Sequence, residues 1–176
     1  KRVIHTTADF DYADNLAFSP DVIEQAKAAL CNGATIVTDT NMALSGISKP
    51  SLTKLGAKAL CLMADPDIAR EPKERGVTRA VVSMEHAARL DGPLIFAVGN
   101  APTALIRLHE LIGKDEVKPA LVIGVPVGFV NVVEAKELFI GGKTPYIIAR
   151  GRKGGSNVAA AIVNALLYQL IRREGF

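Results

Sequence analysis

Residues 94–113 read LIFAVGNAPTALIRLHELIG, and the two halves of this stretch obey different periods. Residues 94–98 form an unbroken apolar run without polar alternation, the pattern of a strand covered on both faces by helices in a parallel sheet. Across 101–112 the apolar residues recur at helical spacing, and Gly113 closes the stretch. A buried strand, a Gly-Asn turn and a helix make half of a parallel crossover unit, and the alternation recurs along the chain. Strands are predicted at 2–6, 34–39, 59–64, 94–98, 120–125 and 146–149. Helices are predicted at 20–30, with Ser19 as cap and Gly33 past the end, at 66–75 with Pro72 interrupting it, and at 78–90, 101–112, 131–139 and 156–173. The basic end of the last helix suits the helix dipole. The fold class expected is α/β: a single three-layer domain with a mainly parallel five- or six-stranded sheet.

Composition narrows the function. At 176 residues one domain spanning 1–176 is expected, burying roughly 70% of its unfolded surface. With 49% hydrophobic and 22% charged residues the chain belongs with ordered globular proteins. The longest apolar runs, 120–127 and 158–167, fall short of the roughly 18–20 residues that cross a bilayer. No membrane span is predicted, no secretory signal is visible, and the expected location is cytoplasmic. Cys31 and Cys61 lack the spacing of a metal or redox motif and are predicted to be buried, reduced thiols. A net charge of +3, dispersed along the chain, gives no support for nucleic-acid binding.

Ligands of open parallel sheets bind beyond the carboxyl ends of the strands, so the segments following each predicted strand are the candidate site. They are His5-Thr6-Thr7, the Asp39 loop with Thr40, Asn41 and Met42, the Gly99-Asn100 loop with Thr103, the turn at Gly128, and RGRKGGS from Arg150 to Ser156. RGRKGGS joins three cations (Arg150, Arg152, Lys153) to three glycines (Gly151, Gly154, Gly155) ahead of a long helix, a composition suited to anions. It lacks the P-loop spacing, and no GxGxxG follows the first strand. His5 is a candidate proton donor, because an imidazole suits proton transfer near neutral pH, although on the residue alone a structural histidine is an equal reading. His86 and His109 are read as surface or capping residues. Asp9, Asp11 and Asp14 lack the glycine and distal glutamate of a calcium loop and are read as solvated, capping or orienting groups, so no metal site is expected.

Five stretches together resemble the precorrin-8X methylmutase family: RVIHTTADFDYADNL (2–16), DTNMALSGI (39–47), VGNAPTAL (98–105), PALVIGVPVGFVN (119–131) and GRKGGSNVAAAIVNALL (151–167). The resemblance implies migration of a methyl group from C11 to C12 of a corrin macrocycle, giving hydrogenobyrinic acid, or cobyrinic acid when the substrate carries cobalt. It implies no cofactor, a polycarboxylate tetrapyrrole as substrate, a homodimer, and the histidine of RVIHTT, His5, as the acid acting on a pyrrolic nitrogen. Arg79, Arg150, Arg152 and Lys153 are the cations expected to meet the substrate carboxylates. The family also implies a segment ahead of RVIHTT that this chain is expected to lack, and tends to read Glu-Ser-Lys where this chain has Glu134-Ala135-Lys136. A non-catalytic tetrapyrrole carrier is the alternative: it would keep the anion-holding loops and need no proton donor.

Overall fold

The structure, a computed structural model, describes residues 1–171. Six strands form one sheet: β1 (Leu16–Phe18), β2 (Thr35–Thr38), β3 (Lys58–Leu60), β4 (Leu94–Val98), β5 (Leu121–Gly124) and β6 (Tyr146–Ala149). Their order is β1-β6-β5-β4-β2-β3, parallel throughout except that β1 runs antiparallel to β6, with Leu16 opposite Ala149. The helices are α1 (Arg2–Thr7), α2 (Tyr12–Asn15), α3 (Val22–Cys31), α4 (Asn41–Gly46), α5 (Lys49–Leu55), α6 (Pro66–Arg75), α7 (Arg79–Ala87), α8 (Pro102–Gly113), α9 (Val132–Glu137) and α10 (Ser156–Leu170).

Side chains alternate across a strand, so each strand feeds two cores. Ile95, Ala97, Leu121, Ile123 and Ile147 point into one, shared with α1, α3, α4, α5 and α10. Phe96, Val98, Val122, Tyr146 and Ile148 point into the other, shared with α7, α8 and α9. The buried runs at 94–98 and 146–149 are apolar at every position because both faces are covered, which gives the expected three layers.

Several local expectations are corrected. Residues 2–6, predicted as a strand, lie in helix α1. Val3 and Ile4 pack into the core shared with α10, while the Thr6 and Thr7 hydroxyls donate back to the Arg2 and Val3 carbonyls at 2.9 Å, so tertiary packing overrides the β-branched propensity. His5 therefore stands on a helix instead of ending a strand. β1 escapes the sequence reading because three residues carry no period. Residues 59–64 divide between β3 and a 3₁₀ turn, Leu62–Ala64. Ser19 does not cap α3: its hydroxyl accepts from the Tyr146 amide at 2.9 Å, and Asp21 precedes the helix instead. Gly113 falls inside α8, and the left-handed residue beyond that helix is Asp115. Both cysteines are free thiols, but Cys31 is exposed and Cys61 half-buried. The basic end predicted for the last helix, Arg172 and Arg173, lies outside the described residues.

Candidate active site

The strand order reverses between β2 and β4, and the crevice at their carboxyl ends is where such a sheet receives a ligand. Here the crevice is bridged from within. Asp39, 1% exposed, follows β2 and accepts hydrogen bonds from the amides of Gly99 (2.9 Å), Asn100 (2.8 Å) and Ala101 (2.7 Å), which follow β4. Burial pushes its carboxyl upward from the usual range, and the three amide donors pull against that shift. Thr40 caps α4 through the Ala43 amide and meets the Ser156 hydroxyl at 2.7 Å, joining the loop after β2 to the start of α10.

The RGRKGGS loop then closes over the crevice at backbone contact. A Cβ on Gly99 would lie 2.7–2.8 Å from the backbone of Gly155 and Ser156, and one on Gly154 would lie 2.0 Å from the Val125 carbonyl oxygen. The Gly155 amide donates to that same oxygen at 2.8 Å. Gly128, at φ +143°, donates its amide to the Arg152 carbonyl at 3.2 Å. Of the motif's glycines Gly154 is thus required by close packing of loops, whereas a Cβ on Gly151 would meet nothing within 4 Å. A concavity of about 530 Å³ lined by Val117, Pro119 and Pro145 lies at the opposite edge of the sheet.

The three cations of the loop differ in their surroundings. Arg150 makes a two-pronged pair with Glu137 of α9, both contacts at 2.9 Å. Lys153 reaches Asp9 and Asp11, each at 2.6 Å, which raises its pKa and lowers that of Asp9. Arg152 is exposed, lies 5.9 Å from the Phe129 ring centroid, and among the described residues has no carboxylate partner. Of the expected substrate cations, Arg152 and exposed Arg79 have no carboxylate partner among the described residues, whereas Arg150 and Lys153 are engaged internally. Arg79 starts α7 beside Thr78, whose hydroxyl meets that of Thr103 at 3.1 Å, tying two helix starts together.

His5 is exposed on α1, and the chain leaves that helix directly into the Asp9–Asp11 segment gripped by Lys153. The candidate acid and the anion loop are therefore physically tied, although Thr6 and Thr7 spend their hydroxyls within α1. Asn41, Met42 and Asn100 are exposed at the same edge, as are Phe10, Val127, Phe129 and Val130. His86 pairs with Glu71 at 2.9 Å, and His109 stacks edge-on against Phe139.

Sequence reasoning missed Lys136. It is fully buried on α9, and its ammonium donates to the carbonyls of Gly151 (2.8 Å) and Lys153 (2.9 Å). The signal was available: Val132, Ala135, Lys136 and Phe139 fall at i, i+3, i+4 and i+7, the buried stripe of a helix. The bridging role of Asp39 had no local signal.

Asp39→Asn tests the bridge. An amide can replace one acceptor oxygen but turns an NH₂ group toward the other donors, leaving at least one buried N–H unpaired at a cost of about 1–3 kcal/mol. A fall in Tm of roughly 2–4 °C per kcal/mol is expected for a domain of this size. A variant melting with the parent would remove Asp39 as the link between these loops.

The chain matches the family model described as CbiC, precorrin-8X methylmutase, over residues 1–169. It is 50% identical to a cobalt-precorrin-8 methylmutase of Salmonella typhimurium, across 97% of this chain and 80% of the relative. It is 41% identical to a precorrin-8X methylmutase of Pseudomonas aeruginosa, across 94% and 80% respectively. The crystal structure of a precorrin-8X methylmutase from Thermus thermophilus superposes with a TM-score of 0.85 at 40% identity, covering 94% of this chain and 80% of that one. Nothing in these similarities favours a non-catalytic carrier.

Proposed function

Because the chain belongs to the precorrin-8X methylmutase family, isomerases of corrin biosynthesis, we propose that its open carboxyl edge seats the macrocycle between His5 and the RGRKGGS loop. The isomerase moves a methyl group from C11 to C12 within the ring system. His5 protonates or hydrogen-bonds the pyrrolic nitrogen of the ring bearing that methyl, favouring the tautomer from which the [1,5] shift is easy. Arg152 and Arg79 take peripheral carboxylates, with Thr40, Asn41, Met42, Gly99, Asn100, Thr103, Gly128 and the Gly154-Gly155-Ser156 turn shaping the contact surface. Held in one tautomer and orientation, the macrocycle rearranges with a lowered barrier, and the proton is returned once the methyl has moved.

The observation that carries this reading is the coupling of His5's helix, through Asp9 and Asp11, to the loop that also presents unpaired Arg152. Its test is an absorbance assay with metal-free and cobalt-bearing substrate supplied separately, since the shift changes ring conjugation. An unchanged spectrum with both would overturn it.

Arg152→Ala is expected to raise KM roughly tenfold or more while kcat changes little, because a charge-assisted hydrogen bond to a carboxylate acts before and during the reaction. Lys153→Ala should cost less affinity, its ammonium being already held by Asp9 and Asp11. Equal KM for Arg152→Ala and parent would show that the guanidinium serves only solvent.

The working form in this reading is a cytoplasmic homodimer. Met42, Phe129 and Val130 are 72%, 86% and 76% exposed on the open edge, an apolar surface that a second copy can close over the substrate. No helix among the described residues is long and apolar enough to cross a membrane. Light scattering on the active protein decides the dimer: turnover by a monomer would exclude it.

A further inference from the structure

Lys136 departs from the usual behaviour of lysine: it is 0% exposed, its ammonium has no carboxylate partner among the described residues, and it donates to two carbonyls of one turn. Those carbonyls, of Gly151 and Lys153, flank Arg152, whose own carbonyl accepts from the Gly128 amide. Three consecutive carbonyls are thereby turned inward and anchored, which leaves the Arg152 side chain facing out. The next residue on α9, Glu137, holds Arg150.

Glu137 balances Arg150, and Asp9 with Asp11 outweigh Lys153 by one negative charge, so the cations here without a carboxylate partner among the described residues are Arg152 and, from beneath, Lys136, whose charge keeps the loop net positive. We propose that Lys136 is a positioning residue for substrate binding, whose protonated ammonium holds the Gly151–Lys153 turn in the shape that presents Arg152 to the substrate carboxylates. This deepens the assignment of the loop as the carboxylate site and rests on it.

The chemistry makes the role pH-dependent. Burial pushes the Lys136 pKa down to about 8. Below that pH the ammonium is charged and its bonds to the carbonyls are charge-assisted. Above it the neutral amine donates more weakly, and the local positive charge falls by one. The charged or titratable groups on the packed elements are Glu134 and Glu137 of α9, Arg150, Arg152 and Lys153 of the loop, and Arg107, His109 and Glu110 of α8. None of them pairs with the ammonium among the described residues.

The test is KM and kcat as functions of pH for the parent, Lys136→Met and Arg152→Ala, using whichever corrin substrate the parent isomerises. The parent is expected to show KM rising several-fold as pH passes through about 8. Lys136→Met, which keeps an unbranched stem without the ammonium, should raise KM about tenfold near neutral pH, with kcat little changed and the alkaline rise gone. A folded Lys136→Met with the parental KM, or one that keeps the alkaline rise, overturns the role. Should that variant fail to fold, the parent profile and Lys136→Gln decide, and a flat parent profile overturns it. Arg152→Ala separates the two levels: an unchanged KM there refutes the loop as the carboxylate site, whereas a raised KM beside an unaffected Lys136→Met refutes only Lys136.

Discussion

His5→Ala is expected to fold like the parent, bind the macrocycle with similar affinity and turn it over on the order of 10²- to 10⁴-fold more slowly, the loss characteristic of removing a positioned acid. Its imidazole is exposed on α1 and makes no hydrogen bond or ion pair among the described residues, so its removal creates no cavity and strands no described partner. Alanine is also the better helix former, which keeps α1 in place. The loss should fall on kcat, because a proton placed on the ring nitrogen favours the rearranging tautomer over the resting one. His5→Asn keeps a hydrogen-bond donor and should remain slow. Single-turnover absorbance on the folded variant is the measurement. A rate near the parent's would mean that the macrocycle rearranges through positioning alone.

The second large effect is expected from a single methyl group. At Gly154 a Cβ falls 2.0 Å from the Val125 carbonyl oxygen and 2.9 Å from that of Pro126, so two backbone segments must part. The Gly155 amide bond to Val125, now 2.8 Å, breaks with them. Overpacking of this kind costs about 1–3 kcal/mol, and the broken buried hydrogen bond adds about 1–3 more. Gly154→Ala should therefore lose roughly 4–24 °C in Tm, at about 2–4 °C per kcal/mol, and lose measurable substrate affinity as the loop lifts from the edge. Gly113→Ala is the control: nothing lies within 4 Å of its Cβ, and it should melt at or above the parent. A Gly154→Ala protein with parental Tm and KM would show that the loop moves without consequence.

The parts of the site that sequence revealed are those whose chemistry is local. RGRKGGS reads as a candidate anion loop because glycine freedom, cationic side chains and a helix start sit within seven residues. The Gly99 and Asp39 segments are legible because they follow unmistakable buried strands. Which cation of RGRKGGS stays unpaired is not legible, since the partners of Lys153 lie 142 and 144 positions away. The Thr40–Ser156 contact spans 116 positions for the same reason.

By itself the sequence determined the α/β class, the buried strands 94–98 and 146–149, the family, and the chemical class of ligand. Each follows from period and composition over short windows, or from motifs whose residue order is their meaning. Tertiary structure alone decided that RVIHTT is helical, that Leu16–Phe18 adds an antiparallel strand, that Asp39 bridges two loops, and that Lys136 is buried under a third. The reason is energetic: a six-residue segment has too little intrinsic preference to choose between helix and strand. The surface offered by α10 and the pairing offered by β6 make that choice, and the fold's closure sets which charges meet.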